Sequence, residues 1–291
     1  MINYDRLKNW VFPEIEHRYT ADDTMRYALA LGLGADPMDA RQLQYVTETS
    51  GALVALPSMA VVLGYPGAWM QDPAVGIDYT RIVHGEEGLV LHHPLPVEGT
   101  VRARHRVTRV VDKGEGRGAI VTYDKDLFDA ASGELLATVT HSTFARADGG
   151  FSAGNGLTDE AAPAPAKPPA GTPDQVCEIA TLPQQALLYR LCADRNPLHA
   201  QPEVARAAGF ERPILHGLCT WGLACRALLA TCAGDRPDRL RSLFARFTSP
   251  VFPGETLRFD IYGAPADLRF RAVAVERGVT VLDAGHARID A

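Results

Sequence analysis

Pro213-Ile214-Leu215-His216-Gly217-Leu218-Cys219-Thr220-Trp221-Gly222-Leu223-Ala224-Cys225-Arg226-Ala227-Leu228-Leu229 is apolar around nearly its whole circumference, and Gly234 follows as an end signal. Such a segment reads as a buried helix, because no face of it suits water. A buried helix needs a wrapping. Residues 101–107, 118–123, 134–144, 257–262, 269–275 and 279–282 alternate in polarity or are β-branched, which is strand patterning. Asp129-Ala130-Ala131-Ser132-Gly133 reads as a hairpin turn between two of them. The expected class is α+β, a central helix wrapped by an antiparallel sheet, with the arrangement present twice.

The duplication is read from two echoes. Pro94-Leu95-Pro96-Val97-Glu98-Gly99-Thr100-Val101-Arg102 matches Pro250-Val251-Phe252-Pro253-Gly254-Glu255-Thr256-Leu257-Arg258 in the placing of Pro, Thr and Arg. Tyr27 precedes an apolar segment at residues 57–64 much as Tyr189 precedes the segment from Pro213. Each half is expected to begin with its helices and end with its strands. Between them, residues 148–175 are rich in Gly, Ala and Pro and hold few large apolar groups, the composition of a flexible connector. The expected division is therefore 1–147, a connector at 148–175, and 176–291.

A net charge of −6 on 291 residues argues against a general nucleic-acid binder, which concentrates Lys and Arg. The five cysteines form no C-x-x-C pair and suggest neither zinc nor a disulfide framework. The first residues carry no apolar signal segment, no stretch reaches membrane-spanning length, and the last residues are no peroxisomal address. A cytoplasmic protein with no membrane partner is the expectation.

Chemistry concentrates just ahead of the buried helix. In Asp194-Arg195-Asn196-Pro197-Leu198-His199 a carboxylate and an imidazole flank an Asn-Pro, where Pro197 forces a sharp turn. Such a pair suits general acid/base work near neutrality. Taken alone, the stretch also fits a capping carboxylate beside a surface histidine. Gly217 near the helix start can offer an unpaired N–H to a carbonyl oxygen, aided by the helix dipole; by itself, tight helix packing through a glycine fits equally well. Arg102, Arg104 and Arg106 share one strand face, with Arg109, Lys113 and Arg117 close by, and suit either a phosphate or a solvated surface. Gly150-Phe151-Ser152-Ala153-Gly154 matches a serine-hydrolase pattern but opens the connector, where no helix supports a nucleophile elbow. His84 and His92-His93 show no metal-ligand spacing.

With these residues assembled, the chain resembles the hydratase 2 family, the MaoC-like (R)-specific enoyl-CoA hydratases, in the two-part form found in the hydratase region of peroxisomal multifunctional enzyme type 2. The carrying motif is Tyr189-Arg190-Leu191-Cys192-Ala193-Asp194-Arg195-Asn196-Pro197-Leu198-His199, which departs from the family at Ala193, usually glycine. Ile82-Val83-His84-Gly85-Glu86, Val111-Asp112-Lys113-Gly114 and the stretch from Arg246 to Gly254 carry it further. The resemblance implies a double hot dog fold assembled as a homodimer, with the reaction confined to the C-terminal unit and the degenerate N-terminal unit making room for the acyl group. It implies Asp194 and His199 as the catalytic dyad, Asn196 as an orienting hydrogen-bonder and Gly217 as the thioester-oxygen donor. His84, Gly85, Lys113 and Phe247 become contacts to an acyl-CoA substrate. No metal or redox cofactor is expected, CoA being part of the substrate. The expected reaction is reversible hydration of trans-2-enoyl-CoA to (3R)-3-hydroxyacyl-CoA. The rivals are a dehydratase for carrier-protein or bulky CoA thioesters, and a catalytically silent acyl-CoA-binding subunit.

Overall fold

The alternating runs become long strands: β3 (Gly99–Asp112), β4 (Ala119–Asp129) and β5 (Leu135–Ala145) in the first half, β8 (Thr256–Ala264), β9 (Asp267–Ala274) and β10 (Val279–Ile289) in the second. The computed structural model describes residues 1–49, 53–192 and 194–290. The expected hairpin turn is built by Asp129, whose carboxylate accepts from the N–H groups of Ala131 and Ser132, with Gly133 left-handed at φ +77°. Four further strands complete the sheet: β1 (Ile15–Tyr19), β2 (Ile82–Leu91), β6 (Gln175–Ala180) and β7 (Leu240–Phe247). All pair antiparallel in the order β1-β3-β4-β5-β2-β7-β10-β9-β8-β6. The second five repeat the first five in mirror sequence, so the expected two sheets meet edge to edge at β2 and β7 as one ten-stranded sheet.

Each half opens with a short edge strand, β1 or β6, before its main helices. The structure thereby corrects the helices-first order expected from sequence. Ile15-Glu16-His17-Arg18-Tyr19 has too few apolar residues to announce a strand, since an edge strand is half solvated. In the first half α1 (Tyr4–Lys8) precedes β1, α2 (Ala21–Ala30) begins with a capping box between Thr20 and Asp23, and α3 (Ala40–Leu43) is a single turn. The second half has α4 (Gln185–Tyr189), α5 (Pro202–Ala207) and the buried helix α6 (Gly217–Cys232). Helix α6 starts at Gly217 because Leu215 N–H is already donated to Val251 and His216 is extended at ψ 136°. Its Trp221, Leu223, Ala224 and Cys225 are fully buried. Gly222 allows it to press against the C-terminal end of α2, since a Cβ there would stand 2.9 Å from Leu31 Cδ2.

The halves differ at their centres. Where the second has α6, the described residues of the first have a 3-10 turn, Pro57–Val61. Ala52, a few residues ahead of that turn, lies outside the described residues, as does Ala193. The turn's loose carbonyls are gathered by Lys125 of β4, which is 4% exposed and donates to Ala60, Val61 and Leu63 at 2.8, 2.9 and 2.7 Å. Burial pushes its ammonium down to about 8, against the pull of Glu87. The connector is pinned at its start: Asp112 accepts from Gly150 and Ser152, Phe151 is buried, and Asp159 takes the Tyr4 hydroxyl, Lys8 and Val110 N–H. Residues 160–174 are mostly exposed.

Replacing Lys125 by Met leaves three buried carbonyls without a donor. Loss of about 3 kcal/mol in unfolding free energy is expected, at about 1–3 kcal/mol per stranded group with partial relaxation. Urea unfolding at pH 7 measures it; an unchanged midpoint would show that the turn does not depend on this cation.

Candidate active site

Asp194, Asn196 and His199 are set by two nested side-chain turns. The Asp194 carboxylate accepts from Asn196 N–H at 2.8 Å, and Asn196 Oδ1 accepts from Leu198 N–H at 3.0 Å. Asn196 is extended at ψ 125°, as a residue before proline should be, and Pro197 opens a 3-10 turn that ends at His199. His199 is 8% exposed while Asp194 remains open to solvent. His199 Nδ1 lies 2.8 Å from the Ile214 carbonyl. A carbonyl only accepts, so Nδ1 carries the proton and Nε2 is left with a lone pair.

Helix α6 begins against this turn. Its first residue, Gly217, has no carbonyl one turn earlier to bond, and the helix dipole points its positive end here. His216, immediately before it, donates Nε2–H to the Asp194 carbonyl at 2.9 Å and stacks on His199 with ring centroids 3.7 Å apart. Donor and acceptor atoms of Asp194, His199 and His216 lie within 4.8 Å of one another. A Cβ on Gly217 would meet the Phe247 ring at 3.2 Å, so the glycine and the ring are in contact.

Phe247 links this group to the first half. Its ring centroid is 4.4 Å from that of His84, which is 3.9 Å from that of His141. Both imidazoles bond one oxygen of Glu87, at 2.9 and 3.0 Å, and Glu87 is 1% exposed. Gly85 backs onto Phe144, over whose ring the Lys113 ammonium sits 5.0 Å from the centroid. His84, Gly85 and Phe247 thus fall together, and Lys113 joins through Phe144. The arginine face does not join them. Arg104 pairs with Glu14 and Arg106 with Asp124 and Asp126, as on a solvated strand. Ser152 of the hydrolase-like pattern donates its hydroxyl to Asp112, which also takes the N–H groups of Gly150 and Ser152 as a turn anchor.

Electrostatics sort these groups. Burial holds His199 below its ordinary value, against hydrogen bonding to Ile214 and the charge of Asp194. Burial, reinforced by His199, takes His216 down to about 3. Both imidazoles are therefore neutral at pH 7, and His199 Nε2 can take a proton. Burial acts to raise the Glu87 carboxyl, yet the two histidines outweigh it and bring it to about 2. Burial raises the Tyr79 phenol, and the charge of Asp194 adds to that. The imidazole and carboxylate groups are hydrogen-bonded already: Glu87 holds both of its histidines, and His199 and His216 each spend one nitrogen on a carbonyl. A hollow lined by Tyr19, Tyr27, Met59, Leu63 and Cys192 lies behind the segment leading to Asp194 and takes in none of the candidate side chains.

Residues 17–147 match the MFE-2 hydratase 2 N-terminal domain, and residues 165–284 the MaoC like domain. The enoyl-CoA hydratase ChsH3 of Mycobacterium tuberculosis is 38% identical, covering 94% of this chain and 93% of its own. The chain belongs to the hydratase 2 family of MaoC-like enoyl-CoA hydratases. Its sheet and buried helix are the double hot dog of that family. The MaoC-like dehydratase of Phytophthora capsici superposes with a TM-score of 0.86 at 31% identity, covering 99% of both chains. Peroxisomal multifunctional enzyme type 2 of Drosophila melanogaster superposes at 0.79 with 35% identity. This chain spans about half, 48%, of the length of that enzyme. Among the described residues no helix is long and apolar enough to cross a membrane.

His216, Glu87, His141 and Tyr79 were not singled out by sequence. His216 precedes the glycine and had a local signal; the others meet the site only through pairing of distant strands and loops. Glu87 gives a test of this geometry. A carboxyl held below its ordinary value stabilises the fold above about pH 4.5 and loses that contribution as pH falls toward 2; His84, also held low by burial, acts in the same sense below 6.5. Glu87→Gln is expected to lower Tm at pH 7, with the gap to wild type narrowing below pH 4.5. A gap independent of pH would contradict an ionised Glu87.

Proposed function

We propose that this chain hydrates trans-2-enoyl-CoA reversibly to (3R)-3-hydroxyacyl-CoA. The observation that carries this reading is that an Asp194 carboxylate oxygen and a His199 ring nitrogen lie within 4.8 Å of each other, with α6 starting at Gly217 one residue after His216, which stacks on His199. The thioester oxygen accepts from Gly217 N–H, and the dipole of α6 favours the enolate-like charge that grows there. Withdrawal of electrons through the thioester makes Cβ electrophilic. One water sits between Asp194 and His199; its oxygen bonds Cβ, one of the pair takes its proton, and a proton is delivered to Cα. The water is thereby consumed whole, and side chains and backbone carry every step. Because the two groups interact, the proton holder is a property of the pair.

His84, Gly85 and Phe247 flank the thioester end, and Lys113 supplies a cation for CoA phosphate. The 3-10 turn at Pro57–Val61, in place of a second long helix, supports assigning the acyl chain to the first half. Gly217→Ala pushes a methyl against Phe247 and is expected to lower kcat/KM by about 10- to 100-fold, the scale of a displaced oxyanion donor or a 1 Å misplacement.

Asp194→Asn and His199→Gln are each expected to cut turnover by about 10²- to 10⁴-fold with the fold intact, the range for a lost acid/base group. Loss of enoyl-thioester absorbance measures turnover, chiral analysis of the product reads the (3R) centre, and circular dichroism checks the fold. In the wild type, the acid limb of kcat/KM is expected below pH 6.5, because burial holds His199 low. Near wild-type activity in either variant, or a (3S) product, would overturn the reading.

A further inference from the structure

We infer that His216 is a positioning residue that holds the three parts of the reaction centre in register, an inference that rests on the hydratase reading above. Contacts of this one residue reach three separate pieces. Its Nε2–H fixes the Asp194 carbonyl at 2.9 Å, and so fixes the turn from which the Asp194 carboxylate projects. Its ring lies on that of His199 at 3.7 Å with 27° between the planes, which sets the direction of the His199 Nε2 lone pair. Its own carbonyl accepts from Cys219 and Thr220 N–H and opens α6, so its backbone also places Gly217. His216 is 3% exposed, and its Nδ1 is buried without a hydrogen bond among the described residues. A surface or packing histidine needs none of this; phenylalanine would fill the volume and leave no buried nitrogen. The nitrogen is kept because its partner on the ring, Nε2–H, is needed.

The one donor of the neutral His216 ring is spent on the Asp194 carbonyl, so it has no proton to give the reacting atoms. It acts through Asp194 and His199. The groups facing the two rings are Asp194, Arg190 and each other, together with Tyr189, whose ring centroid is 5.1 Å from that of His216. The two functions of the side chain are separable. His216→Gln keeps an N–H of similar reach and loses the stack; His216→Phe keeps the stack and loses the N–H.

The expected outcome is a double dissociation. His216→Phe lowers kcat by about 10- to 100-fold at unchanged KM, the scale of a small misplacement, and leaves the acid limb of the pH profile in place. His216→Gln lets water reach His199, so the acid limb of kcat/KM moves up toward pH 6.5. His199→Gln, run beside them, separates failures: full activity there sinks the hydratase dyad itself. Wild-type kcat in His216→Phe, or losses in both variants that track only the folded fraction with an unmoved acid limb, would overturn the positioning role. If neither variant folds, nitrogen-15 spectra of the wild-type histidines decide. A neutral Nε2–H tautomer of His216 persisting down to pH 5 is expected, and a ring that charges near 6.5 would overturn the role.

Discussion

Everything in this molecule depends on the pairing of β2 with β7. Without it there are two five-stranded sheets, each with a bare edge carrying unpaired backbone groups. The pair sets Glu86 opposite Arg246, and the two side chains close an ion pair across the joint, at 2.8 Å from the Arg246 Nε. Continuing that register places Phe247 alongside Gly85 and His84. One ladder therefore makes the sheet continuous and carries the first half's aromatic and polar groups up to the start of α6. A slip by one residue would turn Phe247 away from Gly217 and separate the two sides.

Much of the fold is legible because it is built from strong local patterns. Strands β3, β4, β5, β8, β9 and β10 alternate over many residues, and α6 is apolar on all sides. The edge strands are hidden by solvation, and β2 and β7 are hidden by charge. Glu86, Glu87 and Arg246 make these two segments look like surface, yet Glu87 is buried and balanced by His84 and His141. Half of that balance comes from β5, which no window on β2 contains.

The centre of chemistry divides in the same way. Asp194, Asn196 and His199 are close in sequence and are shaped by local turns, so their proximity follows from Asn-Pro. That Gly217 meets them follows less directly, from the Ile214 carbonyl taking His199 Nδ1–H and the His216 ring lying on His199. The first half contributes partners that no spacing announces. Its own middle is a 3-10 turn held by one buried lysine, so the two halves repeat a strand order around different centres, while their buried side chains pack into one continuous core.

The pinned connector has a consequence for assembly. It is fastened at Asp159 to β3, next to one rim of the sheet, and must deliver the chain to β6 at the opposite rim. Across a flat sheet at about 4.8 Å per strand that is about 40 Å, and residues 160–174 drawn straight reach about 50 Å. The tether has little slack. It holds the second half at a high effective concentration beside the first, and a short reach disfavours an exchange of halves between two copies of the chain. The Pro-rich composition stiffens this tether further, and its later part is laid against the second half, where Gly171 accepts from the Tyr262 hydroxyl and Asp174 from Gly263 N–H.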